Sequence, residues 1–367
     1  MNVQPPAASR IVIIFWNLGL GGVQKRIYDI TNSLSTTDSV KIVILLKQKV
    51  DQEISFPKHP SISIRYFNVG RPKQAPLQFF LWLLFQCIDF KPTCIVGFMN
   101  KCAILSVIIG YILRFISQNP KIVISEEIYL SYYLKQHNAR VWKYLTIIFY
   151  RFATVIIVLT QAMKRDLVYN FFVPEEKTVV MPSWIPTIKH TSHRKRIWEY
   201  VYIGRLSPEK GINSLITLAK TIKQRNLPYS ICIVGDGPLR AWMLRQISKY
   251  HLEKYILYKG YQTNPISFIR RSRLLLLPSV NEGLPLVVLE SYAAGVPVLA
   301  TSFAGASEMI DHNSTGWVCK SQSQFIKTAL EIIKQPTAIS RAGREAYIFA
   351  RTRYSRSNLQ IFLSLLS

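Results

Sequence analysis

Short, β-branched apolar runs alternate along the chain with longer stretches whose apolar positions recur at helical spacing. Residues 10–16, 40–46, 94–97, 121–124 and 155–160 read as buried strands. Between or after them, 25–34, 77–90, 102–116 and 161–167 read as helices, while the polar section from 47 to 69 suggests no element. Residues 182–196 then turn to Pro, His and bulky basic types, as a linker would. The rhythm resumes with strands at 198–203, 230–234, 274–277 and 296–301 and a helix from about Asn213. Helices at 323–334, 338–353 and 356–366 follow. Strand and helix in alternation are the signature of βαβ units, so the pattern predicts an α/β protein with parallel sheets. The expected domains are 1–185 and 198–345, joined by a linker at 186–197, with 346–367 as a terminal helical segment.

Length and composition sharpen this. At 367 residues the chain can fold two domains with separate cores. Hydrophobic residues at 49% against 18% charged exclude a disordered or collagen-like class. A net charge of +26, spread over both halves, attracts anions such as nucleotide sugars, lipid head groups or nucleic acid. No helix-turn-helix, zinc or aromatic RNA-reading motif supports the last of these, so no nucleic-acid partner is expected. The aromatic-rich apolar segments 77–88, 102–113 and 144–159 each fall short of the ~18 uninterrupted apolar residues of a spanning helix. Five cysteines without paired spacing read as reduced core thiols, and the polar N-terminus does not read as a signal peptide. The expected location is cytoplasmic, peripheral on an anionic membrane surface.

The candidate chemistry gathers at predicted strand ends. In LPSVNEGLPLVVLESYAAGVPVLAT (277–301), Glu282 falls in a loop before a helix and Glu290 inside that helix. At about 1.5 Å of rise per residue the two acids lie about 10 Å apart or a little more, the span of a nucleoside diphosphate sugar. The amides of Gly283 and Leu284 would face an anion between them. After the strand at 198–203 comes Gly204-Arg-Leu-Ser-Pro-Glu-Lys-Gly211, where Arg205 and Lys210 flank a turn into a helix, a combination that suits a diphosphate. A strand and glycine turn, Ser230 to Pro238, contains Gly235. The first strand runs into Asn17-Leu-Gly-Leu-Gly-Gly-Val-Gln24, whose Gly21-Gly22 pair lets backbone approach a phosphate. Gln24 occupies the third glycine place of the dinucleotide fingerprint, which argues against a nicotinamide cofactor.

These motifs resemble those of the retaining glycosyltransferases with the two-domain GT-B fold, the large "group 1" family (glycosyltransferase family 4 type). The spacing of Glu282 and Glu290 is similar to that family's E-x7-E signature, and the Arg205–Lys210 turn is nearly verbatim. The resemblance is strong over 198–320 and loose over 10–180. It implies two Rossmann-like domains facing across a cleft, the first carrying the acceptor site. It further implies that Arg205 and Lys210 bind the donor diphosphate and offset the leaving charge. Glu282 would hold the donor sugar, and Glu290 the ribose. Gly21 and Gly22 would lie against donor phosphates and acceptor, while Gly204 and Gly235 shape the nucleotide pocket.

Departures are Glu126-Glu127 where relatives often carry His, expected to be two solvated acids, Ser183-Trp184 where Asn-Gly is usual, and Ala304 for a glycine. The chain contains no Asp-x-Asp triplet, so no metal or other cofactor is expected. The implied function is retaining transfer of a sugar from a UDP- or GDP-sugar to a growing, lipid-linked glycan of capsule, O-antigen or lipopolysaccharide. A GT-B nucleotide-sugar epimerase and a non-catalytic nucleotide-sugar or membrane-binding protein remain as alternatives.

Overall fold

A computed structural model describes residues 9–19, 21–35, 39–50, 53–56, 59–67, 76–185 and 196–366. The chain divides into two compact units, one running to Ser183 and including the residues from Ser357 on, the other Trp184–Arg356. Most of the expected linker, 186–195, lies outside the described residues.

The first unit is built on a seven-stranded parallel sheet: β1 (Ser9–Phe15), β2 (Val40–Leu46), β3 (Ile62–Tyr66), β4 (Cys94–Phe98), β5 (Lys121–Glu126), β6 (Val155–Val158) and β7 (Thr178–Val180). Its order is β3-β2-β1-β4-β5-β6-β7, with β1 in register with β2 on one side and β4 on the other. The helices are α1 (Gly22–Leu34), α2 (Pro76–Phe90), α3 (Asn100–Phe115), α4 (Leu130–Gln136), α5 (Arg140–Phe149) and α6 (Gln161–Phe171). Strand β3 falls in the section where sequence suggested nothing. It is an edge strand whose residues are at best half-buried, so its apolar alternation is diluted by Ser63 and Arg65.

One face of this sheet, including Val12, Ile14, Val43, Leu45 and Ile95, packs against α2 and α3. Helix α2 buries Phe79, Leu83 and Cys87 at successive helical turns and leaves Leu77, Leu81 and Phe85 exposed on another face. Phe79 therefore belongs to the core, where a buried Phe contributes roughly 1.5–3 kcal/mol, and Phe80 and Trp82 pack partly against it. Gly97 of β4 lets α3 press close: a Cβ there would lie 2.6 Å from the Ala103 Cα. All five cysteines are buried and free, and burial alone pushes Cys87 up to about 12.

The second unit carries a six-stranded parallel sheet: β8 (Trp198–Ile203), β9 (Ile231–Val234), β10 (Ile256–Tyr258), β11 (Ser272–Leu277), β12 (Val298–Thr301) and β13 (Gly316–Cys319). The order β10-β9-β8-β11-β12-β13 puts the unit's first strand beside its fourth, the point where the winding reverses. Its helices are α7 (Ile212–Gln224), α8 (Arg240–Lys249), α9 (Ile266–Ile269), α10 (Leu286–Ala293), α11 (Ala306–Met309), α12 (Gln322–Ile332) and α13 (Pro336–Arg353). The strand expected at 296–301 begins two residues later, because the turn after α10, with Gly295 at φ 66°, precedes it. Helix α14 (Ser357–Ser364) counts with the first unit, where it meets α1. Among the described residues no helix is long and apolar enough to cross a membrane.

Candidate active site

Ligands in open α/β sheets bind beyond the carboxyl ends of strands where the winding reverses. In the second unit that point lies between β8 and β11, and the predicted residues stand on either side of it. Arg205 and Lys210 follow β8, and Glu282 follows β11. The Lys210 ammonium reaches both oxygens of the Glu282 carboxylate, at 2.7 and 2.8 Å. Glu282 is nearly buried and Lys210 only partly so, which leaves the cation open on one side.

Backbone geometry fixes this pair. Lys210 ends a short helical turn, and Gly211 follows at φ 69° to start α7. A Cβ on Gly211 would lie 1.9 Å from the Pro278 carbonyl oxygen, so only glycine lets this turn sit against the loop after β11. The Val280 amide donates to the Glu209 carbonyl at 2.9 Å, binding the two loops edge to edge. Arg205 is exposed, and its carbonyl accepts the Tyr202 hydroxyl at 2.9 Å. Burial, followed by the charges of Glu282 and Glu209, raises the Tyr202 phenol far above its ordinary range, so it stays a donor.

Gly204 and Gly235 form a second close contact, between the ends of β8 and β9. Gly235 lies at φ 138°, and a Cβ on it would meet the Gly204 carbonyl oxygen at 1.9 Å. Its amide donates to Gly260 at 2.8 Å, and the Leu206 amide to Asp236 at 2.9 Å. Gly283 and Leu284 are buried in the loop before α10, and Glu290 is buried within that helix. Gly21 and Gly22 belong to the first unit, exposed at the start of α1. Among the described residues no cluster of three or more His, Cys, Asp or Glu side chains could hold a metal ion.

The expectation that Glu126 and Glu127 are solvated is wrong. Glu126 is 0% exposed and accepts the Tyr150 hydroxyl at 2.6 Å. Burial pushes its carboxyl up to about 8 against the opposing Tyr150 hydrogen bond, with Glu127 and Asp166 adding to the rise. Glu127 is also buried, accepts the Ser125 hydroxyl at 2.7 Å and lies 3.5 Å from Nε of the buried Arg26. The only sequence signal for this cluster is an arginine on the buried side of α1.

Sequence reading also missed a pocket of about 500 Å³ within the first unit. It lies where β1 and β4 end and includes Trp16, Asn100, Lys101, Tyr133, Arg140 and Trp142.

Residues 187–348 match the family model described as "Glycosyl transferases group 1". The N-acetylgalactosamine-N,N'-diacetylbacillosaminyl-diphospho-undecaprenol 4-alpha-N-acetylgalactosaminyltransferase of Campylobacter jejuni is 25% identical, over 96% of this chain and 99% of its own. Among solved structures, Anabaena HepE in complex with UDP and glucose superposes with a TM-score of 0.78 at 17% identity, covering 97% of this chain and 99% of that one. WaaG, a glycosyltransferase involved in lipopolysaccharide biosynthesis, gives 0.78 at 15% identity, covering 97% and 99%. With its motifs at the strand ends of the matched unit, the chain has the GT-B fold along its length and is similar over 187–348 to the group 1 glycosyl transferases.

Proposed function

We propose that the protein is a retaining transferase that moves a sugar from a UDP- or GDP-sugar to a lipid-linked glycan during assembly of a bacterial surface polysaccharide. The observation that carries this reading is the Lys210–Glu282 pair across the reversal point of the second sheet, with Arg205 exposed beside it in sequence. In this reading Arg205 and Lys210 bind the donor diphosphate and stabilise the charge that grows on it as the glycosidic bond breaks. Glu282 orients the sugar and holds the Lys210 ammonium in place for the phosphate. Glu290 holds the ribose hydroxyls, and Gly204, Gly235, Gly283 and Leu284 admit the nucleotide by backbone approach. Gly21 and Gly22 serve the donor phosphates from the first unit. The acceptor hydroxyl attacks on the face the diphosphate leaves, and a phosphate oxygen takes its proton. Two protein cations suffice for the leaving charge, so the reaction proceeds without a metal.

A lipid-linked acceptor is supported by the Campylobacter relative, whose name specifies a diphospho-undecaprenol glycan. Support for an anionic membrane surface comes from the charge of +26 and from the exposed apolar line Leu77, Leu81 and Phe85 on α2. The deciding experiment incubates the protein with a panel of UDP- and GDP-sugars, reading thermal shift, transfer to lipid-linked acceptors and the anomeric configuration of the product, with and without EDTA. Thermal stabilisation and transfer of one sugar with retained configuration are expected. No shift and no transfer with any donor would refute the reading, and release of an epimer without acceptor would favour the epimerase.

A further inference from the structure

Lys210 is aimed by its ion pair with Glu282, but among the described residues no carboxylate lies within ion-pair distance of Arg205. An exposed guanidinium on a flexible stem loses rotamer freedom when it meets a ligand, so its aim depends on how firmly its backbone is set. The residues on either side of Arg205 are tied to β9 and the loop after it. The Gly204 amide donates to the Val234 carbonyl at 3.1 Å and the Leu206 amide to that of Asp236 at 2.9 Å. The Arg205 carbonyl itself accepts from the Tyr202 hydroxyl at 2.9 Å and from the Ser207 amide at 3.1 Å. The second donor belongs to the same tight turn and moves with it. Tyr202 is therefore the group that ties the Arg205 carbonyl to the buried core.

The phenol is built in for this contact. Tyr202 lies near the end of β8, 1% exposed, in the same buried cluster as Leu206, Ile212 and Leu276. Its ring reaches forward past Gly204, where a Cβ would lie 3.0 Å from the phenol oxygen and 3.3 Å from Cζ. Tyr200 points to the same face of the strand and makes the same kind of bond, 2.9 Å to the Ala329 carbonyl, but in α12, which carries no residue of the site. We propose that Tyr202 is a positioning residue for the donor diphosphate, its hydroxyl fixing the Arg205 peptide so that the guanidinium is aimed before the ligand arrives. The inference rests on the transferase reading above, in which Arg205 binds that diphosphate.

The test uses the full chain and titrates it by calorimetry with UDP and GDP, and with uridine and guanosine beside them. Tyr202→Phe removes one oxygen and should weaken the diphosphate that binds by roughly 10-fold while leaving its nucleoside unchanged. In an Arg205→Ala background the same substitution should change the diphosphate Kd by no more than about 2-fold, since the group it positions is gone. Where a sugar is transferred, Tyr202→Phe should lower kcat roughly 10-fold and leave the acceptor KM unchanged. Tyr200→Phe is the control for a lost phenol–carbonyl bond: it should lower the urea midpoint as Tyr202→Phe does and leave binding and turnover at the wild-type level. Wild-type affinity in Tyr202→Phe, an equal loss with and without the Arg205 side chain, or an equal loss from Tyr200→Phe would overturn the inference. Because binding is read without transfer, the expected pattern in a protein that transfers no sugar counts against the proposed function and not against Tyr202.

Discussion

Lys210 and Glu282, 72 residues apart in sequence, share two hydrogen bonds of 2.7 and 2.8 Å. The acid holds the cation in place, so a change at either residue disturbs the other. If Lys210 stabilises the leaving diphosphate as proposed, Lys210→Ala should lower turnover roughly 100-fold. It also leaves a nearly buried carboxylate unpaired, at a cost of about 1–3 kcal/mol in stability. A double-mutant cycle with Glu282→Ala, read by chemical denaturation and by turnover, should show effects well short of additive. Full additivity would mean the pair is incidental.

Arg205 has a simpler role. Its side chain is exposed, so Arg205→Ala should leave the melting temperature unchanged and reduce turnover roughly 100-fold. Wild-type rates in that variant would remove it from the site.

Glu290 should affect binding more than chemistry. Glu290→Gln, which keeps the shape of a buried side chain, should weaken the donor by about 1–3 kcal/mol through lost charge-assisted bonds to ribose, with a smaller change in kcat. Isothermal titration with the nucleotide alone separates this from sugar contacts, which are assigned to Glu282.

Gly211 and Gly235 test the backbone. An alanine at either would place its Cβ 1.9 Å from a carbonyl oxygen, of Pro278 or Gly204, at positive φ. Each substitution should lower the melting temperature and the activity together. A fully stable Gly211→Ala would contradict the close approach of the two loops that position Lys210 and Glu282.

Glu126 predicts a pH signature. Its carboxyl is raised by burial to about 8, so between its unfolded value near 4.5 and about 8 the folded protein binds more protons there than the unfolded chain does. Stability from this group is therefore fully present below about 4.5 and is lost as pH rises to about 8. Glu126→Gln keeps an acceptor for Tyr150 and should flatten that part of the stability–pH curve. Unchanged slope in urea titrations from pH 5 to 8 would show that Glu126 ionises normally.

The motifs of the second unit were legible because each is local. A strand, a glycine turn and the cation or acid after it lie within a few residues, as with Arg205 and Lys210 after β8 or Glu282 after β11. Long-range facts were not legible. Nothing near Glu282 announces that Lys210 will pair with it, and nothing near Glu126 announces Tyr150. An acidic pair after a strand reads as solvated until its tertiary partners are known. The pocket of the first unit draws on residues 16, 101, 133, 140 and 142, far apart in sequence and joined only by the sheet order. Apolar stretches misled in a different way. Phe79 is one of several large apolar residues in the aromatic-rich segment 77–88, yet helical phase sends it into the core and turns Leu77, Leu81 and Phe85 outward.

The crossing of α14 back to the first unit has a consequence for synthesis. Arg26, buried in α1, lies 5.1 Å from the centre of the Phe362 ring, and Phe362 is itself fully buried. A ribosome finishes the whole of the second unit before it reaches that phenylalanine. Domains usually fold in order as they emerge, but here the earlier one stays without its last helix, and the guanidinium of Arg26 without its aromatic cover, until the later one has been made. The nascent chain thus carries a first unit lacking α14 through the time it takes to make residues 184–356.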